Sequence, residues 1–534
     1  MKTMINSVFA LMLSASALTA CSDEKFSGDP SKDWEGTTTF FASTDDQGFG
    51  TYYTPSVGRV GDPMPYYDQK DDVFKVLYLQ EYINNMPFRF HPIWAVATKD
   101  CASYESLGEL LPYGGNDFEQ DAALGTGCAF EKDGTYYIYY TGHNGNCKNR
   151  EVVMRATSTD FKNWTKDELW TLYGTDFGYS ANDFRDPQIF VADDNLYHMI
   201  ISTYPQHGGD PVFAEFKSSD LKNWEHVGRI RMIWDRMLEC PDIFKMGNYW
   251  YLIYSESVKT SWSRKVKYMV GNSFEDLKAC MGGSPRWPQD DHEGVLESRA
   301  FYAGKTASNG TDRYIWGWCP FRSGSTIHEK NVNVGGGDGN EPNWSGALVC
   351  HKLIQHENGL LTLGEVPAMA AKYNKPQDVK VMESNGYNNG TLNGDGAYVL
   401  YNRLGTCNHI SMTIKTAGNE DKFGISFVRG TDSKQYYTMV VNPEWAGGRR
   451  KVNFEQEGPE GKGFIDGADG YIFVRPADNT YKIDIYTDNS VLVMYINDVC
   501  SYTQRIYGIQ KNCWSINNYG GSITVSDVKL STME

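Results

Sequence analysis

Ser158-Thr-Asp-Phe-Lys-Asn-Trp164 is followed sixty residues later by Ser218-Ser-Asp-Leu-Lys-Asn-Trp224, and this repetition decides the fold class. Looser copies occur at Thr98-Lys-Asp100 and at Ser273-Phe-Glu-Asp-Leu277. Polar turns alternate with aromatic and aliphatic runs between the copies, as where Asp133-Gly134 precedes Thr-Tyr-Tyr-Ile-Tyr-Tyr140. A turn of this composition beside an apolar run predicts a β-hairpin. The chain is therefore predicted to repeat a unit of β-strands.

Each unit has the pattern of four strands without a convincing helix, at a spacing somewhat longer than that of common propeller repeats. The modules start near five positions: Val57, Gly125, Phe184, Leu238 and Glu297. We therefore predict an all-β protein whose residues 46–366 form a five-bladed β-propeller.

A second strand-rich region follows the repeats. Pro367 and Pro376 enclose an alanine-rich segment that indicates a connector. Over residues 378–534 the strand pattern resumes without the acidic motifs of the first region, and Tyr481–Tyr486 and Val491–Ile496 form a predicted hairpin. The size and strand spacing of this region predict a two-sheet β-sandwich.

The N-terminal residues predict export. Lys2 precedes an apolar run, Val8 to Leu18, that is too short to span a bilayer. Leu18-Thr-Ala-Cys21 resembles a bacterial lipobox, which implies a signal peptide over residues 1–20, acylation of Cys21, and a tether over residues 21–45. We expect a lipid-anchored protein of the outer membrane; the alternative is an ordinary signal peptide with a chance cysteine.

The composition of the chain limits which classes of molecule it is expected to bind. A formal net charge of −17 argues against nucleic acid and anionic lipid surfaces, and it fits a neutral substrate such as a sugar. The 11 cysteines include no Cys-x-x-Cys pair and no zinc-ligand spacing, so neither a structural metal nor a cofactor is predicted. We expect a monomer.

Three acidic motifs stand at the heads of modules: Gly61-Asp62-Pro63, Arg185-Asp186-Pro187 and Glu239-Cys-Pro-Asp242. One carboxylate from each of several blades predicts an acidic pocket on the propeller axis. Glycoside cleavage uses two carboxyl groups on either side of one bond. A turn or a strand-end cap is the better interpretation of any single acid, but three in successive modules favour a catalytic site.

These motifs, in this order, resemble those of glycoside hydrolase family 32, the fructan and sucrose hydrolases. That family has a five-bladed propeller followed by a β-sandwich. Its nucleophile lies in Trp-Met-Asn-Asp-Pro-Asn-Gly, a second aspartate in Arg-Asp-Pro, and its acid/base in Glu-Cys-Pro. The resemblance implies that Asp62 attacks the anomeric carbon of a fructosyl unit. It implies that Glu239 protonates the leaving oxygen and then activates water, while Asp186 and Arg185 hold sugar hydroxyls and the developing charge.

Further segments resemble the family's landmarks, among them Leu77-Tyr-Leu-Gln80, Gly125-Thr-Gly-Cys128, Phe301-Tyr302-Ala303 and Gly317-Trp318. The resemblance implies that the substrate contacts Gln80, Trp94, Thr126, Arg185, Tyr302 and Trp318. For Gln80 a backbone partner is the alternative, because a buried amide needs a partner of some kind. For Trp94 the alternative is packing within a blade.

The first motif departs from the family pattern. Arg59 replaces the family's tryptophan, Gly61 its asparagine, and Met64-Pro65 its Asn-Gly. The missing asparagine helps to bind fructose in the family, so the identity of the sugar stays open.

The predicted function is retaining hydrolysis of β-fructosidic bonds in a fructan or fructo-oligosaccharide. One alternative is an inverting hydrolase resembling family 43, which would remove arabinose or xylose; Gly61-Asp62-Pro63 suits it, but Glu239-Cys-Pro does not. Retaining sites place their carboxyl groups about 5–5.5 Å apart and inverting sites about 6.5–9.5 Å apart. The second alternative is a surface glycan-binding lipoprotein that has lost turnover.

Overall fold

The computed structural model describes residues 49–56, 58–81, 91–232, 236–256, 265–283, 285–288, 294–320, 344–429, 436–444, 448–458, 461–464, 470–506 and 508–533. The predicted signal peptide, Cys21 and Val57 lie outside these residues. Strands form nearly all of the regular structure, and the predicted fold class is confirmed. No helix in the described ranges combines the length and the apolar character needed to cross a membrane.

The first three blades are antiparallel sheets of four strands that follow a short strand, β1 (Arg59–Val60). Blade 1 contains β2 (Met64–Asp68), β3 (Val73–Glu81), β4 (Ile93–Thr98) and β5 (Glu105–Leu111). Blade 2 contains β6 (Ala123–Lys132), β7 (Thr135–His143), β8 (Glu151–Ser158) and β9 (Thr165–Leu172). After a 3₁₀ turn (Gly174–Phe177), blade 3 contains β10 (Tyr179–Val191), β11 (Tyr197–Pro205), β12 (Val212–Ser218) and β13 (Glu225–Arg231).

The repeated aspartates close the turns between the third and fourth strands. Asp160 accepts hydrogen bonds from the backbone N–H groups of Lys162 (2.9 Å) and Asn163 (2.8 Å), and Asp220 makes the same pair of contacts in blade 3. Aspartate favours such turns because its carboxylate can bond to the backbone two and three residues onward. The most visible repeat in the sequence is therefore a turn, remote from the acidic motifs.

Blade 4 departs from the predicted pattern of four strands without a helix. Its described strands are β14 (Leu238–Met246), β15 (Tyr249–Glu256) and β16 (Val266–Gly271), followed by helix α1 (Phe274–Gly282). Ser273 caps α1 by accepting a hydrogen bond from the Asp276 N–H group, at 3.1 Å. The looser sequence copy at Ser273–Leu277 therefore starts a helix, whereas the closer copies form turns, because a serine followed by acidic residues is also a good helix N-cap.

Blade 5 contains β17 (Tyr302–Ser308), β18 (Arg313–Pro320), β19 (Gly346–Gln355) and β20 (Leu361–Gly364). Strand β1 closes the ring between the last blade and the first. Val60 pairs with Gly346 of β19 on one side and with Gln80 of β3 on the other. This closure holds the segment that precedes Asp62 between two blades.

The C-terminal region forms one connected strand assembly around the long strand β34, which pairs with β24, β25 and β26. A short helix, α2 (Met369–Lys372), precedes it within the predicted connector. The predicted hairpin is confirmed, since Ile483 pairs with Ile496. The strands are β21 (Lys375–Gln377), β22 (Val381–Asn385), β23 (Tyr387–Asn388), β24 (Thr391–Tyr401), β25 (Cys407–Thr416), β26 (Phe423–Arg429), β27 (Tyr436–Pro443), β28 (Arg449–Gly458), β29 (Gly461–Phe464), β30 (Tyr471–Val474), β31 (Thr480–Asp488), β32 (Val491–Ile496), β33 (Cys500–Arg505) and β34 (Cys513–Thr532).

The two regions meet at an interface that we call the seam, formed where blade 5 and the segment before it contact β33. Glu297 is fully buried there and accepts hydrogen bonds from Ser501 Oγ (2.8 Å) and the Thr503 N–H group (2.9 Å). Arg505 of β33 donates to the carbonyl oxygens of Cys319 and Pro320, both at 2.8 Å. Because these polar groups are buried and paired, the seam fixes the last blade against the sandwich.

Candidate active site

The innermost strands of blades 2 to 5 are interrupted by register shifts. Two of these shifts fall in the acidic motifs, between Arg185 and Gln188 of β10 and between Glu239 and Asp242 of β14. Asp186 (φ 60°) and Cys240 (φ 49°) lie in these bulges with left-handed backbone conformations. This conformation costs an L-residue roughly 1–2 kcal/mol, and bulges re-aim the side chains they contain. Two of the three acidic motifs therefore contain a strained residue.

Asp62 follows β1 and is held by two neutral donors. Thr126 Oγ1 of blade 2 donates to Asp62 Oδ2 at 2.6 Å, and Trp318 Nε1 of blade 5 donates to Asp62 Oδ1 at 2.9 Å. Each carboxylate oxygen thus has one protein partner, and the partners come from the blades on either side. The carboxylate is fixed in orientation before any ligand arrives.

Glu239 of blade 4 contacts both neighbouring blades. Its Oε1 atom lies 3.1 Å from the Arg185 guanidinium, and its Oε2 atom lies 3.0 Å from the Tyr302 hydroxyl. The Tyr302 hydroxyl is also 3.1 Å from the carbonyl oxygen of Glu256, so one tyrosine proton serves two acceptors. The ring of Tyr302 packs edge to face on Trp318, with 5.4 Å between ring centroids, which links the Glu239 side of the site to the Asp62 side.

Asp186 is the most deeply buried of the three acids, with 4% of its surface exposed. Its Oδ2 atom accepts a hydrogen bond from the Cys240 N–H group at 2.8 Å. Burial raises the pKa of Asp186 to about 7; the charges of Glu239 and Asp62 raise it further, while Arg185 and the Cys240 N–H group oppose the rise. The three carboxylates are therefore close enough to affect one another's charge.

Arg185 is the cation beside these carboxylates. Its guanidinium also pairs with Asp183 (2.9 Å) and with Glu151 of β8 (3.1 Å). Burial by itself would raise the pKa of Glu151, but His143 and Arg185 outweigh that effect and hold the pKa below its ordinary value. Glu151 fixes the arginine from behind, and sequence reasoning missed it because no motif surrounds it.

The space beside Asp62 is occupied by an aromatic side chain. A Cβ atom at Gly61 would lie 2.3 Å from Trp344 Cη2, so position 61 must be glycine while Trp344 stays in place. Trp344 stacks on His91 with centroids 4.5 Å apart, and His91 Nε2 lies 2.7 Å from Glu81 Oε2. Trp344 therefore fills the space next to Gly61, which stands where the family has its asparagine.

Two predicted substrate contacts lie away from this group. Gln80 is fully buried and pairs with Val60, two residues before Asp62. Trp94 is fully buried in the hydrophobic core that blades 1 and 5 share, which is the packing alternative raised from the sequence. Their contacts with substrate stay predictions, as does acylation of Cys21, which lies outside the described residues.

The arrangement places three carboxylates, one cation and several aromatic donors around one end of the propeller axis. Unequal surroundings let one carboxyl stay protonated while another stays ionised, which is what acid-assisted cleavage of a glycosidic bond requires. Within the described ranges, no group of three or more histidine, cysteine, aspartate or glutamate side chains has the geometry to hold a metal ion.

The propeller and the C-terminal region each match a known protein-family model. Residues 53–361 match the model described as "Glycosyl hydrolases family 32 N-terminal domain". Residues 359–530 match the one described as "GH32, BT1760-like, C-terminal domain". The first match alone covers more than half of the chain.

Curated relatives include sucrose-6-phosphate hydrolases. The protein from Zymomonas mobilis is 27% identical over 231 residues, which are 39% of this chain and only 42% of that protein. The chain thus aligns with less than half of the length of this relative. The Vibrio alginolyticus protein is 20% identical over 474 residues, 85% of this chain and 84% of the relative.

Solved structures share the fold at low identity. Fructan 1-exohydrolase IIa from Cichorium intybus superposes with a TM-score of 0.70 at 15% identity, covering 92% of this chain and 98% of that one. Exo-inulinase from Aspergillus awamori gives a TM-score of 0.67 at 15% identity, covering 91% and 98%. With motifs, fold and both domain matches in agreement, the chain belongs to glycosyl hydrolase family 32.

Proposed function

We propose that the protein hydrolyses β-fructosidic bonds in fructans or fructo-oligosaccharides with retention of configuration. One observation carries the proposal: Asp62, Glu239 and Asp186 are joined through Trp318, Tyr302 and the Cys240 N–H group into one connected cluster. A nucleophile, an acid and a group that binds hydroxyls can therefore act on one sugar.

The first step breaks the glycosidic bond. A carboxylate oxygen of Asp62 attacks the anomeric carbon, while Glu239 gives its proton to the leaving oxygen. This forms a fructosyl ester and a free alcohol. In the second step Glu239 removes a proton from water, whose oxygen displaces Asp62. The anomeric carbon thus undergoes two successive displacements, and the second reverses the inversion that the first produces, so its configuration is retained overall.

Asp186 binds sugar hydroxyls beside the reacting carbon. It lies next to Arg185 and is held by the Cys240 N–H group, and the charges of Glu239 and Asp62 both raise its pKa. When ester formation neutralises Asp62, the proton that Glu239 has given up leaves a new negative charge on Glu239, so the number of negative charges facing Asp186 is unchanged. Asp186 can therefore accept hydrogen bonds from the sugar in both steps, as the anomeric carbon develops positive charge.

The site favours a neutral substrate over a sugar phosphate. Among the described residues, the cation in direct contact with the catalytic carboxylates is Arg185, and it is already paired with Glu151, Asp183 and Glu239. A phosphate would need a cation that is not already engaged. The substrate named for the sucrose-6-phosphate hydrolases is for this reason not carried over to this chain.

The test is release of sugar from levan, inulin, sucrose and sucrose 6-phosphate, with NMR of the first-formed product. We expect release from at least one fructan and a β-anomer as first product. Asp62→Ala and Glu239→Gln should abolish release, whereas Asp160→Asn, in a turn remote from the pocket, is the matched control and should retain it.

Three outcomes would contradict the proposal. Inversion at the anomeric carbon would favour the arabinose- or xylose-releasing alternative. Binding of fructan without release, unaffected by Asp62→Ala and Glu239→Gln, would favour a glycan-binding protein. Turnover confined to sucrose 6-phosphate would refute the argument from the paired arginine.

We also propose that Cys21 carries a lipid that anchors the enzyme to the outer membrane. The support is the Leu18-Thr-Ala-Cys21 motif after a short apolar run. Fractionation of cells fed a labelled fatty acid tests it. Label and membrane association should both be lost in Cys21→Ala, and label retained by that variant would contradict the proposal.

A further inference from the structure

A second cavity, of about 760 Å³, opens at the end of the propeller axis opposite the carboxylates. All five inner strands contribute to it through their C-terminal halves: Tyr66 of β2, Phe130 of β6, Gln188 of β10, Phe244 of β14 and Ala307 of β17. In the three strands that carry acidic motifs, the motif comes before the cavity residue: Asp62 precedes β2, Asp186 precedes Gln188 in β10, and Glu239 lies at the start of β14. The volume falls within the range of about 300–1,000 Å³ typical of ligand sites.

A layer of buried polar groups lies between this cavity and the catalytic carboxylates. Lys305 is 2% exposed and donates from Nζ to the Gly127 carbonyl oxygen at 2.7 Å. Asp242 accepts hydrogen bonds from the N–H group (2.8 Å) and the hydroxyl (2.5 Å) of Thr306. The second cavity is therefore a site of its own rather than the floor of the catalytic pocket.

Gln188 contributes a polar side chain to the wall of this cavity. Its side-chain nitrogen donates to Asp242 Oδ1 at 3.1 Å, which fixes the orientation of the amide. Its Oε1 atom is covered by the protein and has no hydrogen-bond partner among the described residues. Gln188 is therefore part of the polar layer behind the cavity, and the groups that can contact a ligand are others.

Arg313 supplies hydrogen-bond donors. Its guanidinium lies 4.0 Å from the centre of the Phe244 ring, and Nη1 donates to Thr306 Oγ1 at 2.7 Å. No carboxylate in the described part of the chain lies within ion-pair distance of it. The remaining N–H groups of Arg313 can therefore donate to a ligand while the ring holds the guanidinium in place.

The lining excludes a strongly charged ligand. Its charged side chains are balanced, three acidic and three basic: Asp68, Glu131, Asp242, Lys70, Lys245 and Arg313. Asp68 is moreover paired with Lys75 at 2.6 Å. The donors of Arg313 and an aromatic surface, in a lining without net charge, suit a polyhydroxylated neutral molecule.

We propose that this cavity is a second, non-catalytic saccharide site that binds a short neutral oligosaccharide. The choice of fructo-oligosaccharide as ligand rests on the proposed function. Such a site would retain a fructan chain on the enzyme while the pocket at the other end of the axis cleaves it.

The experiment is calorimetric titration of the full-length Glu239→Gln chain with the inulin-type tetrasaccharide nystose and with a levan tetrasaccharide. We expect two binding events per chain with at least one of them. Arg313→Met should weaken one event at least tenfold, and so should Thr159→Trp, which obstructs the exposed rim of the cavity. Arg229→Met is the matched control, because this arginine also lies over a ring, that of Tyr179 at 5.2 Å, on the outer part of blade 3.

A single binding event in the parent would overturn the second site and leave the proposed function standing. Two events that both survive Arg313→Met and Thr159→Trp would also overturn it. No binding of either tetrasaccharide would refute the proposed substrate class together with the site. In the otherwise native enzyme, Arg313→Met should leave kcat on sucrose within about twofold but raise KM for polymeric fructan. Loss of the fold would not produce this difference between the two substrates.

Discussion

Asp186 in the candidate active site and Glu297 in the seam are both buried carboxylates, but their surroundings differ. Glu297 accepts hydrogen bonds from Ser501 Oγ, the Thr503 N–H group and the Ser298 N–H group, the last at 2.6 Å. Among the described residues, the Cys240 N–H group alone donates to the Asp186 carboxylate. The seam satisfies its carboxylate within the protein, whereas the pocket leaves acceptor capacity for a substrate.

The largest contrast between the two regions is expected from glutamine substitutions. In Glu239→Gln the amide oxygen can still accept from Arg185, and the NH₂ group can donate to the Tyr302 hydroxyl, whose proton then serves the Glu256 carbonyl oxygen. The amide has no acidic proton to give, so kcat on fructan should fall by about 10³-fold with little change in unfolding temperature. Glu297→Gln would turn an amide NH₂ group towards donors that now face a carboxylate. It should lower stability by about 2–4 kcal/mol while kcat of the folded enzyme is preserved. Kinetics and calorimetric unfolding of both variants measure the contrast.

The two variants must differ in kind for the comparison to hold. Equal losses of stability would show that the pocket is as fully satisfied as the seam. Loss of kcat in Glu297→Gln at a temperature where it is folded would show that the seam controls the chemistry.

Asp186→Asn should separate stability from activity through its pH dependence. The pKa of Asp186 is about 7 in the folded chain against an ordinary 3.8, chiefly because of burial. Between these values the folded state holds a proton that the unfolded state has released, so the native protein loses stability as pH rises through this window. Asparagine cannot ionise. The variant should match the native protein near pH 4 and exceed it by up to a few kcal/mol above pH 7, while remaining inactive.

Thermal unfolding of both proteins from pH 4 to pH 8 is the measurement. A stability difference that does not change over this range would contradict the raised pKa. The seam offers the control, since Ser501→Ala should destabilise the protein by a similar amount at every pH.

The fold could be predicted because its signals are local. Asp133 (φ 53°) and Gly134 (φ 78°) both adopt the left-handed conformation of a tight hairpin turn. Two adjacent residues are enough to predict such a turn from the sequence. The unpredicted helix in blade 4 has the same origin, because Ser273 can cap a helix or close a turn and only packing decides between them. Motifs likewise named Asp62, Asp186 and Glu239, which the structure brings into one group; their catalytic roles stay predictions.

Contacts between distant segments could not be predicted from the sequence. Glu151 meets Arg185 across two blades, and Trp344 meets Gly61 only because β1 closes the ring beside β19. Each contact depends on how blades are placed around the axis, which no single strand encodes. The sequence therefore named the three acids and the side chains that contact Asp62 and Glu239, namely Thr126, Trp318, Tyr302 and Arg185, as site residues. It missed Glu151 behind the arginine and the position of Trp344 beside Gly61.

Gly61 and Trp344 allow a double-mutant test of this closure. Gly61→Ala should destabilise the protein by about 1–3 kcal/mol, because the new Cβ atom overlaps the Trp344 ring, and it should raise KM. Adding Trp344→Ala should recover part of that stability. Gly145→Ala is the control, since no atom would lie within 4 Å of its Cβ. If the effects of Gly61→Ala and Trp344→Ala simply add, the two residues are not in contact.

The smallest effect is expected at the Cys240 thiol, although Cys240 lies within the third acidic motif, next to Glu239. Burial, and then the charges of Asp62, Asp186 and Glu239, raise the pKa of this thiol well above its ordinary value, so it stays protonated and is a poor nucleophile. The backbone N–H group, not the sulfur, holds Asp186. Ala303 in blade 5 has a φ of 55°, close to that of Cys240, so this fold already holds an alanine in the backbone conformation that Cys240→Ala requires. Cys240→Ala should keep kcat within about twofold. A tenfold loss of kcat would mean that the thiol itself takes part in the reaction.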